Sequence, residues 1–223
     1  MSLHRLLRNN SFYPLLLSSL LACGFYVFRV VYSGTSNYSN LLPNIFLAWL
    51  PYVFSVLAAS AYCSHPKRWW NIILFGVIWL IFFPNAPYMV TDFYHLEPRP
   101  PIPLWFDISL IAIFAFTGCF LAIASLRTIH LIIERFLGKF VGWLFALLTL
   151  ALGSLGVYLG RFSRFNSWDL LLHPRSIIKN VIYNLLNPLD NMGFVGFTLM
   201  FTCILLVFYL MFVTSSNPIE PTE

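Results

Sequence analysis

Six apolar runs, at about 13–32, 41–62, 71–91, 104–126, 140–160 and 193–213, leave this chain few folds to choose from. Each approaches the ~20 residues needed to cross a ~30 Å hydrocarbon core. A backbone in that core must satisfy its own donors and acceptors, which restricts it to helices and closed barrels. Long runs without alternation read as helices. The expected fold is all-α: a polytopic membrane helical bundle of about six transmembrane helices. It forms a single domain over 1–213, with a short polar tail at 214–223. Composition agrees, because only 9% of residues are charged, against about 25% in a soluble domain. The net charge of +5 therefore does not point to nucleic acid. In a membrane protein, excess Lys and Arg mostly set orientation.

The start of the chain also has the outline of a signal peptide, with Arg5 and Arg8 ahead of an apolar run. Leu20-Leu21-Ala22-Cys23 even has a lipoprotein-like outline. The apolar run continues past Cys23 to Tyr32, so it is read as the first span. Cys23, Cys63, Cys119 and Cys203 lie in or beside apolar runs without metal spacing, and are read as small buried hydrophobes.

The third run is the unusual one. Its unbroken part, 71–83, reaches only ~20 Å at ~1.5 Å per residue, and Pro84 and Pro87 then interrupt it. Each proline removes a backbone donor and clashes with the preceding turn. Broken backbone near a membrane face persists only when buried in protein or lining a polar cavity. The third helix is thus expected to be broken at Pro84/Pro87, close to one face.

Orientation follows from Lys and Arg in the short segments. Arg5 and Arg8, Lys67 and Arg68, and Arg127, Arg135 and Lys139 alternate with turns poor in basic residues. Both termini are therefore expected in the cytoplasm and the proline break at the outer face. The 161–192 segment dissents, carrying Arg161, Arg164, Arg175 and Lys179 on the outer side. Within it, Asn166 or Ser167 is placed to cap a short turn through Trp168 and Asp169, and Pro174 to open a helix. Ile177, Ile178, Val181, Ile182, Leu185 and Leu186 then form an apolar stripe opposite Arg175, Ser176, Lys179, Asn180 and Asn184. This is the pattern of an amphipathic helix at the membrane interface before the last span, or of one packed on its own bundle.

Polar residues collect at the outer ends of the spans. Arg29 ends the first, Asn85, Asp92 and His95 lie at the break and exit of the third, and Asp107 opens the fourth. Arg161, Arg164, Asn166, Trp168 and Asp169 follow the fifth. The cytoplasmic half has no matching set. Each residue also has a plain role: Arg29 can snorkel, Asp107 and Arg161 complement helix dipoles, Asn85 can satisfy freed carbonyls, and Trp168 suits the aromatic belt. As a closed ion-pair network the group would pin the bundle. As a site, His95 would act as base or nucleophile with Asp92 or Asp107 as orienting catalytic partners. Asn85, Arg161, Arg164, Asn166, Trp168 and Asp169 would then bind an anionic ligand. Metal-ligand spacing is absent, and no G-x-S-x-G, H-E-x-x-H or Walker motif occurs. No cofactor is expected.

Three blocks carry a resemblance. Phe83-Pro84-Asn85-Ala86-Pro87-Tyr88 with Thr91-Asp92 and His95-Leu96 is the first, and Pro103-Leu104-Trp105-Phe106-Asp107 the second. The third is Gly160-Arg161-Phe162 with Arg164 and Asn166-Ser167-Trp168-Asp169. The chain from about 40 to 213 resembles an uncharacterised family of bacterial multi-pass membrane proteins, known only as a domain of unknown function. The resemblance implies a bacterial integral membrane protein and brings no activity with it. The expectation is an inner-membrane protein with an outer-face polar site. That site recognises or processes an anionic amphiphile, a lipid or lipid-linked head group. Its expected partners are membrane lipids. The alternative is a non-catalytic accessory subunit with a membrane protein partner and a structural polar cluster. A transporter is disfavoured, because no internal repeat is visible.

Overall fold

The computed structural model describes residues 11–64, 69–165, 172, 174–187 and 190–215. Helices account for the regular structure of these residues, and none forms a β-strand. In chain order they are α1 (Phe12–Ser33), α2 (Leu41–Ser64), α3 (Trp69–Phe82), α4 (Asn85–Tyr88) and a 3-10 helix (Met89–His95). Then follow α5 (Leu104–Leu137), α6 (Lys139–Arg161), α7 (Pro174–Leu186) and α8 (Met192–Ser215). Six stretches are long and apolar enough to cross a membrane, with Trp69–His95 counted as one. The protein is an all-α, multi-pass membrane bundle.

Helix α5 is the centre. Two thirds of its most apolar window is buried, 67%, against 22–39% for the other five. It packs against α1, α2, α4, the 3-10 helix, α6 and α8. Polar ties fasten neighbours to it level by level. Asp107 pairs with Arg29 of α1, and Thr117 shares a hydrogen bond with Ser18 of α1. Ser125 accepts from the Trp79 indole of α3, and His130 shares a hydrogen bond with Tyr209 of α8. Lipid tails are as apolar as leucine, so burying leucine does little to drive helices together in a bilayer; packing and such hydrogen bonds, about 0.6 kcal/mol each on average, do that work.

The fourth span is longer than expected. Residues 127–137, assigned above to a connection, are the last three turns of α5, which runs 34 residues. At ~1.5 Å per residue that is roughly 51 Å, well beyond a ~30 Å core. Leu126, Ile129 and Ile132 stay buried at helical spacing while Glu134 and Arg135 extend past the apolar zone. Gly138 ends the helix at φ 88 and is the whole connection to α6. The third span is broken as expected: α3 stops at Phe82, α4 restarts at Asn85, and the exit tightens into the 3-10 helix. Pro174 does open α7.

Candidate functional site

Three carbonyls at the break find substitute donors. Pro87 has no N–H to offer the Phe83 carbonyl, which accepts from Ala86 N–H at 3.2 Å instead. The Asn85 amide donates to the Phe82 carbonyl at 3.1 Å, and the Thr91 hydroxyl to that of Tyr88 at 2.6 Å. Glycines make room for it. A Cβ on Gly118 of α5 would stand 2.3 Å from the Ala86 carbonyl oxygen. On α6, a Cβ at Gly153 would meet the Phe83 ring at 2.7 Å, and one at Gly156 would meet Pro84 at 2.5 Å. Close backbone approach of this kind is what small residues permit between membrane helices.

Beyond the break, 3-10 geometry eclipses side chains three apart. Asp92 and His95 therefore share a face, and both meet Arg161 in the last turn of α6. The guanidinium donates from Nε to the Thr91 hydroxyl at 2.8 Å, from one terminal nitrogen to Asp92 Oδ1 at 2.7 Å, and from the other to His95 Nε2 at 2.6 Å. Its carbon lies 4.6 Å from the Tyr88 ring centroid. Asp92, 2% exposed, also accepts from Asn40 at 3.3 Å and Asn44 at 3.1 Å. His95 is exposed.

A second pair lies beside α1. Arg29 grips Asp107 side-on through Nε and one terminal nitrogen, at 2.7 and 3.1 Å, and neither residue is exposed. Arg29 thus does not snorkel, because a carboxylate in the first turn of α5 holds it inside. Arg29 and Arg99 both lie over the Tyr38 ring, at 4.9 and 4.8 Å, and Arg99 reaches Glu97 at 3.5 Å.

Of the residues singled out from sequence, Asp92, His95 and Arg161 come together. Asp107 goes to Arg29 and makes no contact with His95. Asn85 serves the break. Arg164 lies three residues beyond α6, in the left-handed region at φ 58, and the next residue, Phe165, returns its N–H to the Leu159 carbonyl at 3.1 Å. It is exposed and has no carboxylate partner among the described residues. Asn166, Trp168 and Asp169, with the short turn expected there, lie outside the described residues. No group of three His, Cys, Asp or Glu side chains gathers among the described residues.

Sequence reasoning missed Asn40, Asn44, Tyr88 and Thr91. The first two had a visible signal, amides four apart at the start of a span. The far half of the bundle holds a polar group of its own. There His130, 4% exposed, bonds Tyr209 through Nδ1, meets the Trp143 ring edge-on at 5.0 Å, and stands 3.7 Å from Glu134. A Cβ at Gly142 would fall 2.9 Å from its ring. His130 and Glu134 stand four apart on one helix, and only the fold brings Tyr209 and Trp143 to them.

A family model described as a protein of unknown function (DUF1361) matches residues 43–208, and the chain belongs to that family. No curated protein and no solved structure matches it. The matched region holds the break, Asp92, His95, Asp107 and Arg161, and excludes Arg29.

Proposed function

We propose that this chain is a membrane-embedded recognition protein whose site at the proline break holds the anionic head group of a lipid or lipid-linked molecule. The contact between Arg161 and His95 carries the reading. A guanidinium only donates, so His95 Nε2 accepts and the remaining ring N–H is on Nδ1. The exposed imidazole then offers a donor, and the exposed Arg164 offers a charge without an internal partner among the described residues. Charged and neutral N–H donors of this kind suit phosphate. General-base chemistry would need a free imidazole nitrogen oriented by a carboxylate. Here Nε2 is occupied and Asp92 is bound by Arg161, Asn40 and Asn44, which favours recognition over bond breaking. Arg127, Arg135 and Lys139 at the opposite end favour an orientation with both termini inside.

A second reading rests on the same closure. Asp92 and Asp107 are each taken up by an arginine, as in a purely structural network of an accessory subunit. Native mass spectrometry of the chain released from bilayers, wild type against His95→Ala and Arg164→Gln, separates the two. The recognition reading expects one anionic lipid class retained by wild type and lost from both variants, with unfolding temperatures unchanged. An unchanged lipid profile in all three would overturn it. The structural reading then expects Asp92→Ala to lower the yield of folded protein.

A further inference from the structure

Helix α7 presents an unusual edge to its own bundle. Among its described side chains Ile177 and Asn184 are buried and Asn180 and Val181 half-buried, and the Asn184 amide is spent on the carbonyl and side-chain oxygens of Asn180, at 2.8 and 2.9 Å. Ile178, Ile182 and Leu186, spaced four apart and so on one stripe, are 54%, 50% and 74% exposed. A helix stabilised by its own protein buries such a stripe. With thirteen residues it reaches only ~20 Å at ~1.5 Å per residue, too short to cross a ~30 Å core. The outward stripe therefore does not belong to a span.

Charge says what covers it. At roughly 100° per residue, the exposed arc runs from Ile178, Ile182 and Leu186 to Lys179, Tyr183 and Ser176, and Arg175 of the first turn falls between Ile182 and Leu186 at its N-terminal end. Arg175 and Lys179 are both exposed, and Pro174–Leu186 contains no carboxylate. An open cavity of about 560 Å³ at the first turn, lined by Leu172, Pro174, Arg175 and Ser176, leaves a head group room beside Arg175. An apolar face with one basic residue at its border and another at its N-terminal end, where a long side chain reaches head-group level, fits a helix lying at a bilayer surface that carries negative charge.

We infer that α7 is an interfacial helix that docks on anionic lipid. Ile178, Ile182 and Leu186 enter the acyl boundary, and Arg175 and Lys179 reach lipid phosphates. Neither basic residue belongs to the Arg161 network, so this inference and the head-group reading can fail separately. The test is hydrogen–deuterium exchange of the full chain in nanodiscs of phosphatidylcholine or of phosphatidylglycerol. At about 1 kcal/mol per basic residue near an anionic surface, two residues shift docking by up to about 30-fold. The amides of 177–186 are expected to exchange more slowly by up to that factor in phosphatidylglycerol. R175Q/K179Q should lose the lipid difference with α8 exchange unchanged, and Ile182→Asn should exchange faster in both lipids. Equal rates for wild type in the two lipids would overturn the inference. So would a lipid difference that survives in R175Q/K179Q, or protection that depends on protein concentration, which would give the face to a second copy.

Discussion

Gly118→Ala tests whether the broken third span is held as tightly as its seat implies. A Cβ there would lie 2.3 Å from the Ala86 carbonyl oxygen, with Met89 Sδ at 3.1 Å. Ordinary contact begins at 3.4 Å, so the helices must part by roughly 1.1 Å or tilt. The obstacle is backbone, which cannot rotate away as a side chain tip does. Helix propensity alone favours Ala over Gly by about 1 kcal/mol, while overpacking costs typically about 1–3 kcal/mol and sits near the top of that range against backbone. The expected net loss is about 1–2 kcal/mol. Gly24→Ala is the control: nothing lies within 4 Å of its Cβ, so only the propensity gain of up to about 1 kcal/mol remains. The two substitutions should therefore differ in sign. Denaturant titration in detergent micelles, followed by circular dichroism, measures both. Equal stability of Gly118→Ala and Gly24→Ala would refute the claim that α5 and the break are in close backbone contact.

Removing one partner of the Arg29–Asp107 pair, as in Asp107→Ala, should cost roughly 3–5 kcal/mol by the same titration, because a charge is left buried and unpaired. The double variant Arg29→Met with Asp107→Leu should return close to wild type. Tyr209→Phe strips His130 Nδ1 of its partner and should cost about 1–3 kcal/mol, read as earlier melting of α8 by hydrogen exchange. Arg164→Gly relieves a left-handed residue and should add up to about 1 kcal/mol of stability. Under the recognition reading it loses the anionic lipid at the same time, a combination that a purely structural arginine would not give.

The spans and the break were legible because they are local. Run length and two prolines decide them, and neither depends on knowing a neighbour. The seat was not legible: Gly153 and Gly156 are ordinary membrane-helix glycines until Phe83 and Pro84 come against them. Arg29 is placed at the right level by sequence, but snorkelling and pairing look alike until Asp107 arrives from 78 residues away. The extension of α5 was readable and passed over. Charges at Arg127, Glu134 and Arg135 suggested a loop, while Leu126, Ile129, Ile132 and Ile133 kept helical spacing through it. His130 and Tyr209, 79 residues apart, gave no signal that sequence reasoning could have paired. The 3-10 exit was also missed, and it is what turns D-x-x-H from a weak motif into two groups on one face.

Head-group recognition at the break depends on how His95 is held. The direct measurement is nitrogen NMR of the chain in nanodiscs, with labelled histidine and a His95→Gln sample to assign the signal. The expected result is a proton on Nδ1 and an accepting Nε2, with the Nδ1 resonance shifting on titration with phosphatidylglycerol and not with phosphatidylcholine. A proton on Nε2, or a ring insensitive to both lipids, would contradict the Arg161–His95 arrangement as the basis of head-group recognition.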